Sequence, residues 1–210
     1  MSRRGQVIEN PVSRERAIML TDPLDQAGGD GALVAELHVQ PGGRVVTAHR
    51  HPNLVERFHV LRGEVGFLIG EREELLGPGD SAEVPAEVLH DWWQVGDEEA
   101  VVVVEVNPGA RFVEMVATFF GLARDGKVDA KGMPTPLQLA LSAKDFSDTM
   151  VVAKPPPWVQ STLFGVMAPI ARMRGLKSTY EEYLTSDLVA EPDPATVELI
   201  GEDGRLRFGG

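Results

Sequence analysis

The feature that most constrains the fold of this chain is a series of short, β-branched-rich runs within residues 6–106. Glycine and proline turn signals divide these runs, since glycine tolerates positive φ and proline fixes its own φ. The runs cover residues 32–40, 45–50, 55–61, 65–69, 81–84, 90–95 and 100–106. Many short strands at this spacing are typical of a β-sandwich or a closed barrel. The sequence therefore predicts an all-β core.

After residue 109 the apolar positions recur three or four residues apart, as on the buried stripe of a helix. This pattern predicts a helix that ends near Gly126 and buries Phe112, Met115, Val116 and Phe119. Thr135 and Pro136 match an N-cap followed by proline at the first helical position. They predict a second, short helix that ends at about Ala143.

A third helical segment, residues 158–174, carries an apolar stripe of Val159, Leu163, Val166, Met167, Ile170 and Met173. Pro169 removes a backbone donor and predicts a kink or an interruption. The stripe either packs into the core or forms the surface of a homodimer, because so much apolar area must be covered. We predict a barrel at residues 1–108, a helical appendage at 109–186 on the barrel or on a dimer partner, and an acidic, flexible tail at 187–210.

Three of the five histidines stand at a spacing that brings metal-binding groups together. His49 and His51 are two apart on a strand, so both imidazoles point to one face. Glu56 enters the returning strand, and His90 arrives from a later strand and closes the set from the opposite side. Three imidazoles and one carboxylate suit one divalent transition metal (Fe, Mn, Ni, Co, Cu or Zn) and suit calcium or magnesium poorly. These donor types leave the identity of the metal open.

The stretches that carry these residues resemble the two sequence motifs of the cupin superfamily. The first motif is complete, with Gly43, His49, His51, Glu56 and Gly63 at the family's spacing. In the second, Gly79, Pro85 and His90 match, whereas Glu87 replaces the usual glycine and Gln94 the usual asparagine. The resemblance covers roughly residues 34–106 and is to small single-domain cupins with a quercetin-dioxygenase-like metal site. It implies a jelly-roll β-barrel with the metal inside and frequent dimers, in a family that also contains metal-free members.

Strand alternation from the candidate ligands places Phe58, Val60, Trp92 and Gln94 on the inner face of the barrel. These residues are candidates for substrate binding. Trp92 either walls a pocket for a planar or apolar substrate or simply fills the barrel.

His38 shares one strand face with Glu36, opposite an apolar face formed by Leu33, Ala35, Leu37 and Val39. If the apolar face packs inward, His38 is exposed. In the alternative arrangement, His38 and Glu36 line the pocket as substrate-binding or acid/base groups.

Composition excludes several classes of function. The chain contains no cysteine, so disulfides, thiolate metal sites and thiol nucleophiles are absent. A net charge of −12 disfavours nucleic acid as a partner, because phosphate binding requires a basic surface. The first ten residues lack the form of a secretory signal and no apolar run is long enough to span a bilayer, so we expect a cytoplasmic protein without a membrane partner.

From the resemblance we expect a metal-dependent oxidoreductase of the dioxygenase type that acts on a small organic molecule, with Glu56 as a catalytic base. The same site is compatible with lyase, isomerase or hydrolytic chemistry, in which the metal serves as a Lewis acid. A different class of hypothesis is a non-catalytic cupin that binds a small molecule or a metal. An open coordination position beside a cavity distinguishes an enzyme from a closed structural site.

Overall fold

The computed structural model describes residues 3–24, 31–44, 47–201 and 203–207. The strands are β1 (Val7–Asn10), β2 (Glu15–Met19), β3 (Leu33–Val39), β4 (His49–Arg50), β5 (Val55–Arg62), β6 (Glu64–Ile69), β7 (Arg72–Leu76), β8 (Ser81–Val84), β9 (His90–Val95), β10 (Ala100–Asn107) and β11 (Val151–Val152). The helices are α1 (Ala110–Arg124), α2 (Pro136–Asp145), α3 (Pro157–Met173) and α4 (Pro194–Glu198). A 3₁₀ turn spans Glu181–Tyr183.

The strands form two antiparallel sheets, with the orders β1-β2-β3-β10-β5-β8 and β11-β4-β9-β6-β7. Large apolar side chains from both sheets meet in one buried cluster, including Phe58 and Val60 from the first sheet and Phe67 and Trp92 from the second. Burial of such side chains is the main source of stability for two layers of this kind. The predicted all-β core and jelly-roll barrel with C-terminal helices are therefore confirmed.

Four strands, β1, β2, β7 and β11, were not among the predicted runs. β7 consists mostly of charged residues and lies at the edge of its sheet, where one side of the strand has no partner. Of the strand predicted at residues 45–50, only His49–Arg50 forms β4, and Val45 and Val46 lie outside the described residues.

The predicted helices are present. α1 covers the predicted apolar stripe, and α2 begins at Pro136 with the Thr135 hydroxyl accepting a hydrogen bond from the backbone of Gln138. α3 continues through Pro169 without interruption, contrary to one of the two predicted outcomes. None of the helices in the described ranges combines the length and apolar character needed to cross a membrane.

The apolar stripe predicted on α3 is only partly covered. The residues of α3 that pack tightly against Leu141 of α2 are Ala168 and Ala171, which lie outside the predicted stripe. Small alanine side chains allow the two helices to approach closely. Val166 and Met173 of the predicted stripe are instead 63% and 79% exposed.

The C-terminal segment lies on the outer face of the six-stranded sheet. The buried carboxylate of Glu36 accepts hydrogen bonds from the backbone of Asp193 (2.8 Å) and from the Thr196 hydroxyl. The buried carboxylate of Glu105 accepts from the backbone of Leu206 (2.6 Å) and from Arg205 Nε (2.9 Å). These contacts dock the described part of the segment, whereas its predicted flexibility and the division into three parts stay predictions.

Candidate metal centre

The four candidate ligands lie together between the two sheets. β4 and β9 are neighbours in one sheet, which places His49 directly opposite His90. His51 follows β4, and Glu56 reaches the same point from β5 in the facing sheet. One ligand atom from each residue lies within 4.8 Å of the others, and all four side chains are buried. These four residues could hold a metal ion.

Each histidine is oriented by a backbone carbonyl that accepts a hydrogen bond from Nδ1. The pairs are His49 with Thr47 (2.8 Å), His51 with Thr149 (2.7 Å) and His90 with Val88 (3.1 Å). Since a carbonyl oxygen can only accept, each Nδ1 carries the hydrogen and each Nε2 keeps its lone pair. This arrangement of a carbonyl behind the ring is typical of metal-binding histidines.

The Nε2 atoms of His51 and His90 are buried and have no hydrogen-bond partner among the described residues. They lie 3.3 and 2.9 Å from Glu56 Oε2, without the alignment that a hydrogen bond requires. Buried polar atoms of folded proteins are nearly always paired. The two unpaired nitrogens therefore indicate a site for a bound ligand. A divalent ion bound by three imidazoles and one carboxylate fits this donor set.

Two members of the cluster, His49 and Glu56, have pKa values that favour the forms that bind metal. Burial lowers the pKa of His49 to about 4, and the neighbouring His90 acts in the same direction. Burial would raise the pKa of Glu56, but the His51 and His90 rings outweigh it and hold that pKa well below its ordinary value. Burial also lowers the pKa of His51, whereas Glu56 raises it, with a net increase. At neutral pH the site therefore presents an ionised carboxylate and a neutral His49.

Glu87, which stands where the resemblance places glycine, adopts φ 67° in the left-handed region. A non-glycine residue is uncommon there. Its backbone N–H donates to the carbonyl of His51 (2.8 Å), and its side chain forms an exposed ion pair with Arg50 (3.0 Å). The turn before His90 thus keeps the conformation that suits glycine, and His90 keeps its place in the cluster.

A cavity of about 190 Å³ opens beside the cluster, and His49 and Glu56 form part of its wall. Phe58 and Trp92 also line it, as the strand alternation indicates. The remaining lining is almost entirely aliphatic, aromatic or thioether in character. Such a pocket is suited to an apolar molecule that presents a polar group to the metal cluster.

Val60, Gln94 and His38 are not among the described residues that line the cavity, and their role in substrate binding stays a prediction. Val60 is fully buried within the packed core of the barrel. The Gln94 amide is saturated by backbone groups, since Oε1 accepts from Gly42 (2.8 Å) and the two hydrogens of Nε2 are shared among three nearby carbonyls, one of which belongs to Glu98 (2.8 Å).

His38 lies on the strand face opposite the cavity. Its ring contacts Glu36 (2.8 Å) and Glu99 (3.3 Å), beneath the docked C-terminal segment. Leu33, Ala35 and Leu37 of the same strand line the cavity, so the apolar face packs inward. Both faces are covered, which is why His38 is only partly exposed.

Several residues of the site lie in segments to which the sequence assigned no chemistry. α1 contributes Phe112, Met115 and Phe119 to the cavity wall. β11 pairs with β4, and the carbonyl of Thr149 just before it orients His51. Glu15 on β2 places a carboxyl group in the wall. The spacing of apolar residues identified α1 as a helix, whereas a backbone carbonyl such as that of Thr149 leaves no signal in a sequence.

Comparison with solved structures finds similar barrels at low identity. An RmlC-like cupin from Shewanella frigidimarina is 18% identical, with 49% of this chain and 84% of that chain covered and a TM-score of 0.42. A predicted oxalate decarboxylase from Thermotoga maritima is 20% identical, with coverage of 44% and 79% and a TM-score of 0.40. A sugar phosphate isomerase from a cupin superfamily, from Silicibacter pomeroyi, is 22% identical, with coverage of 46% and 60% and a TM-score of 0.40. We infer no activity from these similarities.

A comparison with curated protein sequences found no match. In a comparison with protein families, residues 35–107 match the cupin domain, a range that contains all four candidate ligands. The chain therefore contains a cupin domain at residues 35–107.

Proposed function

We propose that this chain is a metal-dependent oxidoreductase of the dioxygenase type that acts on a small, largely apolar organic molecule. The observation that carries the proposal is the position of the four candidate ligands in the wall of an apolar cavity, where two buried Nε2 atoms have no hydrogen-bond partner in the part of the chain that the structure describes. A structural metal site is closed on all sides, whereas a catalytic site keeps an open position beside a substrate pocket.

His49, His51, His90 and Glu56 would hold the ion, and a redox-active ion there would supply the activation of oxygen and substrate. The carbonyl partners of the three Nδ1 atoms keep the rings in place and leave each Nε2 free to bind. Glu56 is ionised at neutral pH, and its carboxylate can accept a proton from a substrate hydroxyl.

The cavity wall binds and orients the substrate. Phe58 and Trp92 present aromatic surface to a planar or aliphatic group, and the Phe112 ring packs edge-on against the ring of His51, with centroids 5.7 Å apart. The apolar lining excludes water from the reacting groups, which strengthens their electrostatic interactions.

The test begins with elemental analysis of protein purified without a metal-affinity column. We expect about one equivalent of iron, manganese, nickel, cobalt, copper or zinc, lost in the His49→Ala/His51→Ala double variant. His59→Ala is the matched control, because this histidine lies outside the cluster and contacts Ser81 (2.8 Å). Folded protein that carries no metal and takes up none on titration contradicts the proposal.

Oxygen consumption with catechol as a first probe then separates the reaction types. Oxygen consumption by the metal-loaded protein that is absent in the double variant supports oxygen chemistry. A stoichiometric metal with no uptake across a panel of phenols and enediols instead indicates Lewis-acid chemistry, and the dioxygenase assignment is then wrong.

We further propose a homodimer, supported by the exposed apolar side chains of α3, among which Trp158 is 74% exposed. The cytoplasmic location predicted from the sequence stays a prediction.

A further inference from the structure

The cavity contains a second carboxyl group that belongs neither to the metal cluster nor to the cupin domain. Glu15 is the first residue of β2 and precedes the matched range of residues 35–107. Its side chain shares the inner face of its strand with Ala17 and Met19, and all three line the cavity. A carboxyl group in an apolar wall is costly to bury, so it requires a reason.

The sheet register places Glu15 far from the cluster. Glu15 pairs with Val39 at the end of β3, whereas Glu56 pairs with Val106, which pairs with Leu33 at the start of β3. The step of six residues from Leu33 to Val39 corresponds to on the order of 20 Å along the strand. The cavity therefore has two polar groups in different places, separated by apolar surface.

Among the described residues of the cavity wall, the Glu15 carboxyl group has no cationic partner, and the nearby Ser13 side chain offsets only part of the effect of burial on its pKa. No lysine or arginine occurs among the described residues of the lining, and the other titratable groups there are His49 and Glu56 of the cluster. Arg16, the next residue of β2, forms an ion pair with Glu9 of β1, and both side chains are well exposed. Burial raises the pKa of Glu15 to about 7, so near neutral pH the group is present in both forms.

We propose that Glu15 is a specificity-determining residue that accepts a hydrogen bond from a hydroxyl or amine group of an elongated, largely apolar substrate. This inference rests on the proposed function, because it concerns the end of the substrate that lies away from the metal. Asn10, the backbone partner of Glu15 on β1, lines the same part of the cavity and adds a polar neighbour. A substrate that ends in a carboxylate is disfavoured there by like charge.

The test compares two probes of the same shape, 3-phenylpropan-1-ol and butylbenzene, which differ by a hydroxyl and a methyl group. Their dissociation constants are measured by NMR titration, with the indole resonance of Trp92 reporting on binding because this residue lines the cavity. Glu15→Leu is expected to raise the dissociation constant of the alcohol about tenfold and to change that of butylbenzene by less than about twofold. Glu15→Gln retains a hydrogen-bond acceptor, so the dissociation constant of the alcohol should stay within about threefold of the wild-type value.

Glu9→Leu is the matched control, since it removes a carboxylate from the neighbouring strand at an exposed position. It should change neither affinity. Equal effects of Glu15→Leu on both probes, or failure of the alcohol to bind the wild type, overturn the inference.

The two hypotheses fail separately. A protein without metal contradicts the proposed function while the hydroxyl preference of Glu15 remains measurable. A protein with metal and oxygen uptake, but with no hydroxyl preference at Glu15, contradicts this inference alone.

Discussion

Replacement of Glu15 by glutamine should change how the stability of the protein depends on pH. Burial raises the folded-state pKa of Glu15 to about 7, against an ordinary value of 4.5 that applies to the unfolded chain. The folded protein therefore binds this proton more tightly than the unfolded chain does. Its stabilising contribution is fully present below about pH 4.5 and is lost as the pH rises through about 7.

The size of the effect follows from the difference between the two pKa values. Since one pKa unit corresponds to about 1.36 kcal/mol, the upper limit of the Glu15 contribution to the free energy of unfolding is about 3 kcal/mol. Part of the Glu15 side chain remains accessible, so solvent screening reduces the expected value to about 1–3 kcal/mol. Glutamine has nearly the same shape and cannot ionise, so the variant should lack this loss of stability at high pH.

The measurement is urea unfolding followed by tryptophan fluorescence, for both proteins after the same chelator treatment, from about pH 5 to about pH 8.5. The free energy of unfolding of the wild type should fall relative to that of Glu15→Gln across this range. Groups other than Glu15 contribute equally to both proteins and cancel in the difference. Parallel curves would show that Glu15 is not a buried acid, and the argument from the cavity would lose its basis.

Two further predictions concern packing outside the cavity. Gly121→Ala should lower the free energy of unfolding by about 1–3 kcal/mol, because a Cβ atom there would overlap the buried ring of Tyr183. Gly165→Ala, in the open on α3, should instead be neutral or stabilising by up to about 1 kcal/mol in the same urea titration. Glu105→Ala should destabilise by about 1–3 kcal/mol and speed proteolysis of the C-terminal segment, whereas Arg205→Ala, at a half-exposed partner, should cost less than about 1 kcal/mol.

The barrel and the metal cluster could be predicted because their signals are local. Residues two apart on a strand share a face whatever the rest of the chain does, so His49 and His51 converge without reference to distant segments. The same strand alternation correctly predicted that Leu37 faces inward, where it lines the cavity. The turn before His90 could also be expected from its neighbours, although Glu87 must adopt a positive φ to form it.

The rest of the site depends on contacts between segments far apart in sequence. Glu15 lies on a strand that the sequence did not predict, and its side chain shares the cavity wall with residues from segments far apart in the chain. Glu36 is buried because a segment about 160 residues later docks on it. Val60 and Gln94 face the expected side, yet close packing and backbone hydrogen bonds separate them from the cavity. Strand parity specifies a face and does not specify what covers it.

The candidate metal ligands and the cavity wall come from different parts of the chain. All four candidate metal ligands belong to the cupin domain, whereas most of the cavity wall belongs to the segments before and after it. The two are joined at His51, whose ring is held by the Thr149 carbonyl just before β11, and at Met150, which enters the wall from the same segment. A change in how this segment packs therefore alters the orientation of a metal ligand and the shape of the pocket together. Under the proposed function, metal binding would therefore depend on the cupin domain and substrate selection on the segments before and after it, with Glu15 as the proposed polar determinant.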